Sequence, residues 1–115
     1  VPIDGNVPNG VWLDNMRASA RRPNLFCKVS AVIEQSKVQP APAELDYYLP
    51  TLNALWETFG EDRLVYGSNW PVCERSGDYP TQMCIVRAFF AEKGNVASEK
   101  FFWKNAKEAY KWIDR

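Results

Sequence analysis

The sequence predicts an α/β fold organised around a parallel strand–helix–strand unit, and three observations predict it. Two short β-prone runs, residues 25–32 (LFCKVSAV) and 63–68 (RLVYGS), are separated by a long helical pattern. Such a separation is what a parallel crossover needs, and the general rule makes it right-handed. Further helical patterns precede the first run and follow the second, giving the order helix, strand, helix, strand, helix, helix. The 115 residues, 46% hydrophobic and 24% charged, suffice for one modest core and are too apolar for a disordered chain.

The opening string VPIDGNVPNG is rich in Pro, Gly and Asn and reads as a connector over residues 1–10. Trp12, Leu13, Met16 and Ala20 then fall at helical spacing over residues 12–21, ended by Pro23-Asn24. After the first strand, residues 33–43 are polar and contain Pro40 and Pro42, which predicts a loop. Leu45, Tyr48, Leu49, Leu52, Leu55, Trp56 and Phe59 recur in steps of three or four, an apolar stripe that ends at Gly60. Pro50 within it predicts a short first turn, with the main helix starting near the proline. Beyond the second strand, a loop runs from Pro71 to Asp78. Asp78 caps the next helix, whose inward residues are Met83, Val86, Phe89 and Phe90 and whose stop is Gly94. Ser98 would cap a short turn. Asn105 and Glu108 have capping-box spacing and would start a last helix through Ile113.

Composition excludes several classes of chemistry. Fourteen basic residues balance 14 acidic ones, which removes the electrostatic case for nucleic acid or an anionic membrane as partner. No apolar run reaches the ~18 residues of a membrane-spanning helix. There is no histidine, so a His-ligated metal, a Ser-His-Asp triad and a Cys-His pair cannot form within these residues. Cys27, Cys73 and Cys84 have neither zinc-site nor disulfide spacing; reduced, mostly buried thiols are expected, as in a cytoplasmic protein. Two strands cannot cover both faces of a parallel sheet alone. The sequence therefore reads as part of something longer, with partner strands upstream or self-association through open strand edges.

The segment with the most chemical content is Glu61-Asp62-Arg63-Leu64-Val65-Tyr66-Gly67-Ser68-Asn69-Trp70-Pro71-Val72. Strand alternation puts Val65, Gly67 and Asn69 on one face and Leu64, Tyr66 and Ser68 on the other. Asn69 then lies at the carboxyl end of a strand, where α/β folds collect ligands and catalytic groups; the alternative is a turn in which it bonds the local backbone. On the first strand, Lys28 shares a face with Phe26 and Ser30, opposite Leu25, Cys27 and Val29.

The run FGEDRLVYGSNWPVC, residues 59–73, resembles the last-strand signature of amidohydrolase-related family 2, which includes fuconolactonase-like and pyrone-dicarboxylate-lactonase-like enzymes. LFCKVSA, residues 25–31, is similar to that family's preceding strand, typically a Lys-Leu-Ser-Gly string. NAKEAYKW, residues 105–112, resembles its closing helix. The resemblance implies that residues 1–115 are the C-terminal part of a (β/α)8 TIM barrel, an architecture of about 250 residues, and supply its last two strands. It further implies a hydrolase acting on lactone, ester or amide carbonyls of a small-molecule substrate. No cofactor site is expected within this chain; a divalent metal, in those relatives that use one, is held by upstream residues.

The family's last strand carries an aspartate that activates water, and the matching position here is Asn69. An amide can hold a water through its carbonyl oxygen but cannot take the proton. A base elsewhere, an upstream metal hydroxide, or an inactive hydrolase homologue are the three outcomes left open. Lys28, pointing into the barrel, would meet substrate charge or an oxyanion, or else form an internal ion pair. Trp70 would wall the substrate pocket or pack beneath its own loop. These residues alone should not be catalytic.

Overall fold

In a computed structural model, which describes residues 1–113, five α-helices surround a two-stranded parallel sheet. Helix α1 (Gly10–Ala20) leads to strand β1 (Cys27–Val29), helix α2 (Leu45–Phe59) and strand β2 (Leu64–Tyr66). A 3-10 turn (Val72–Arg75) precedes α3 (Tyr79–Lys93). A helical body of α4 (Asn95–Glu99), a π-helical turn (Lys100–Lys104) and α5 (Asn105–Ala109) follows. The strands pair in the register Cys27 with Leu64, Lys28 with Val65 and Val29 with Tyr66. The parallel unit is thus present, in strands shorter than the β-prone runs.

Helix α2 forms because its apolar stripe covers the sheet: Tyr48, Leu52, Leu55 and Phe59 are buried with Val29, Leu64, Ile85, Phe89, Phe90 and Phe101 in one core. Pro50 lies inside this helix, which runs unbroken from Leu45 and does not start near the proline. The proline removes one donor, and the burial of Tyr48 and Thr51 on either side holds the first turn in line. Asn9 caps α1 by accepting from the Trp12 N–H, and Arg63 closes the other end by donating to the carbonyls of Ala20 and Arg22. Asp78 caps α3 as expected, accepting from the Thr81 N–H at 2.8 Å. The same helix buries Gln82 and Ile85 along with Val86, Phe89 and Phe90, while Met83 is only half-buried.

Several local readings change in detail. The Pro/Gly/Asn-rich opening is more than a connector: Ile3 is buried in the core and brackets Ser36 by donating to the Gln35 carbonyl and accepting from the Lys37 N–H. Residues 33–43 are a loop, as expected, but one that buries Ile33 and Ser36. Asn105 caps nothing. The chain is already helical before it, and its buried side chain instead donates to the Glu61 and Leu64 carbonyls, tying the helical body to β2. Ser98 likewise sits within α4 and donates to the Phe90 carbonyl. The last helix ends at Ala109, short of Ile113. Face-to-face stacking of Phe90 on Phe101, with centroids 3.7 Å apart, locks α3 to the π-helical turn.

Candidate functional site at the carboxyl ends of the strands

The two faces of the sheet differ in kind. Cys27, Val29, Leu64 and Tyr66 point toward the helical core, and burial pushes the Cys27 thiol up to about 11. The Tyr66 phenol also rises, by burial first and then by neighbouring Tyr79. Lys28, Ser30, Val65 and Gly67 occupy the opposite face. Register puts Lys28 beside Val65, yet its Cε lies against Gly67, two residues further along β2: a Cβ on Gly67 would be 2.5 Å from it. The lysine side chain therefore runs toward the carboxyl ends of the strands. Ser30 stands at the same place, its Oγ 2.8 Å from that Cβ position. Glycine is required here because Lys28 and Ser30 use the space a side chain would fill. Lys28 is exposed and forms no ion pair among the described residues.

Just beyond each strand the backbone turns through the left-handed region, at Ala31 (φ 56°) and Asn69 (φ 56°). Asparagine is well suited to that region, alanine much less so. The turn brings Asn69 to Glu34: Asn69 Nδ2 donates to Glu34 Oε1 at 2.6 Å. The second carboxylate oxygen, Oε2, is buried and has no hydrogen-bond partner among the described residues. Glu34 is the site residue that reasoning from sequence misses. A signal for it exists, an acidic residue just past the end of β1 on the same side of the sheet as Asn69.

Trp70 goes elsewhere. It is 63% exposed, its indole N–H donates to Glu74 at 3.1 Å, and it shares a shallow surface with Ser68, Glu74 and Tyr79. Behind the site, fully buried Gln82 reaches the Gly67 carbonyl at 3.4 Å and braces the end of β2. Cys73 is buried, and its thiol is pushed up by burial and by the nearby charge of Glu34. Cys84 is exposed, against the expectation of mostly buried thiols, and all three cysteines are free. A groove lies away from the strand ends, between α1 and α2, lined among others by Leu13, Arg17, Leu49 and Asn53.

The donor set does not fit a metal by itself. Among the described residues no three His, Cys, Asp or Glu side chains come together, and one carboxylate beside one amide falls short of the usual four or more ligands. No helix among them is long and apolar enough to cross a membrane.

What the geometry defines is an α/β chain that gathers a lysine, a serine, an amide and a carboxylate at one end of two adjacent parallel strands. The chain belongs to the amidohydrolase family, whose model matches residues 4–112. It is similar to an L-fucono-1,5-lactonase of Burkholderia multivorans (strain ATCC 17616 / 249), with 26% identity over 94 residues, covering 80% of this chain and 32% of that enzyme. A second L-fucono-1,5-lactonase, from Burkholderia ambifaria, is 31% identical over 68 residues, covering 59% of this chain and 22% of that enzyme. Crystal structures of an amidohydrolase from Burkholderia multivorans, one with bound zinc and one with bound HEPES, superpose with a TM-score of 0.79 at 23% identity. They cover 87% of this chain and 36% of theirs. The chain thus spans about a third or less of the length of the relatives it matches.

Proposed function

We propose that residues 1–115 form the C-terminal part of a (β/α)8 hydrolase that opens lactone, ester or amide carbonyls of a small molecule by attack of water at the carboxyl-terminal face of the barrel. The observation that carries this reading is the placement of Lys28 and Ser30 against Gly67, and of Asn69 against Glu34, where two neighbouring parallel strands end. Family membership and the two lactonase relatives support the reaction class.

In this mechanism the water oxygen bonds to the carbonyl carbon, the carbonyl π electrons move to oxygen, and collapse of the adduct breaks the bond to the leaving oxygen of a lactone or ester or the leaving nitrogen of an amide. The water proton ends on that leaving atom. The Lys28 ammonium meets the oxyanion or a carboxylate of the substrate, made reachable by the bare backbone of Gly67. Asn69 holds water or a substrate hydroxyl through Oδ1, and the proton is carried by a base other than this amide. Trp70, directed outward to Glu74, shapes the rim of the pocket. A divalent metal such as the zinc of the solved relative would draw its ligands from outside the described residues. The free thiols accord with a cytoplasmic protein.

The test is to isolate the natural product that contains this sequence, record its intact mass, and assay it against a panel of sugar lactones, aryl esters and amides with a pH indicator. Turnover that falls on Lys28→Ala supports the reading. A product of full barrel size that hydrolyses none of the three classes refutes it. The open outer edges of β1 and β2 favour a second reading, a non-catalytic module that associates through those edges. Sedimentation velocity separates the two: an inactive, concentration-dependent oligomer of 115-residue chains supports the module.

A further inference from the structure

We infer that Glu34 is a positioning residue that fixes which atom of Asn69 the site presents, so that Glu34 and Asn69 act as a single unit. A carboxylate only accepts hydrogen bonds, whereas an amide has one accepting and one donating end. With Nδ2 given to Glu34 Oε1 at 2.6 Å, the amide cannot turn over without setting its carbonyl against a carboxylate. Oδ1 is thereby left as the free end, an acceptor for the hydroxyl of water or of a polyhydroxylated substrate. Asn69 is also pinned from its backbone: φ is 56° and its carbonyl accepts from the Cys73 N–H at 3.2 Å. With the main chain held, rotation of the amide is the freedom that remains, and Glu34 removes it. The role rests on the hydrolase reading above for its substrate, but not for its geometry.

The same geometry bears on the aspartate that the family resemblance places at position 69. An aspartate there would set a second carboxylate against Glu34, whose Oε2 is already buried without a donor. Two carboxylates at that distance disfavour each other's charge. The asparagine is therefore matched to Glu34, and its exchange for aspartate alone carries a loss.

The test is a double-mutant cycle in the natural full-length protein, using Asn69→Asp, Glu34→Gln and both together. Asn69→Asp alone is expected to lower kcat/KM for the best lactone about tenfold or more, and its pH profile should gain an ionisation above the ordinary carboxylate range. Adding Glu34→Gln should recover most of the rate and remove that ionisation, because the glutamine amide donates to Asp and the pair is restored with its polarity reversed. Additive effects, or a gain of rate from Asn69→Asp alone, would overturn the inference. An independent readout is the side-chain amide resonance of Asn69, identified by its loss in Asn69→Asp. A large shift of that resonance in Glu34→Ala, which removes the acceptor, supports the pairing even in a protein that hydrolyses no lactone. An unmoved resonance refutes the pairing even in an active lactonase.

Discussion

Gly67→Ala isolates the demand that the site makes on the sheet. A methyl at this position would lie 2.5 Å from Lys28 Cε, 2.8 Å from Ser30 Oγ and 2.9 Å from Ser30 Cβ. The first contact is relieved by swinging the end of a flexible lysine, and the second by rotating a hydroxyl. The third is not, because Ser30 Cβ is fixed to the backbone directly beyond β1, opposite the end of β2. Relief there requires the strands to part where Gly67 N–H donates to the Val29 carbonyl at 3.0 Å. Overpacking of this kind costs about 2 kcal/mol, which lowers the midpoint of urea unfolding by about 1 M. Lys28→Ala in the same background should return only a minor share of the loss, since it removes the lysine contact and leaves the serine one. Gly10→Ala is the control, with nothing within 4 Å of its Cβ position at the first residue of α1, and should be neutral or slightly stabilising. An unshifted midpoint for Gly67→Ala, or full rescue by Lys28→Ala, would refute the claim that close approach of the strands is what requires glycine.

Three further outcomes are expected. Ala31→Gly should stabilise the protein by about 1 kcal/mol, seen as a higher Tm, because Ala31 holds a left-handed φ of 56° that costs an alanine and not a glycine. Asn105→Leu should destabilise by about 2 kcal/mol in urea unfolding, because it strips the Glu61 and Leu64 carbonyls of their donor at a buried position. Hydrogen bonds from the Thr81 hydroxyl and N–H hold the Asp78 carboxyl below its ordinary 3.8. Its stabilising contribution is therefore full above that unfolded value and is lost as pH falls through the lower folded one. Asp78→Asn keeps the cap and should flatten this acid limb in Tm against pH.

What could be read in the sequence is what depends on near neighbours in the chain. The stripe from Leu45 to Phe59 and the cap at Asp78 follow from spacings of three and four, and both are present in the fold. The opposed faces of β1 follow from alternation, so Lys28 and Ser30 could be placed on one side without knowing what lies there. Asn105 shows where such reasoning stops. Its spacing to Glu108 matches a cap, but a cap is needed only where helical N–H groups are orphaned, and here the helical body already runs from Asn95. The amide was thus free to serve carbonyls more than 40 residues away in the chain. Ile3, in a stretch with the composition of a linker, is buried by the same kind of distant pairing.

Glu34 and Asn69 carry this contrast into the site itself. Asn69 stands out in one dimension because it follows a strand at its carboxyl end, but Glu34 follows the neighbouring strand at the same end and lies in a segment that reads as polar loop. Parallel pairing makes the two equivalent, since it brings the carboxyl ends of β1 and β2 side by side whatever the length of the crossover between them. An amide at the end of one strand therefore has to be read together with whatever ends the other. Taken alone, Asn69 is an amide where the family resemblance implies a carboxylate. Joined to Glu34 at 2.6 Å, it is one half of a pair that sets a carboxylate beside it, carried by the loop after the adjacent strand.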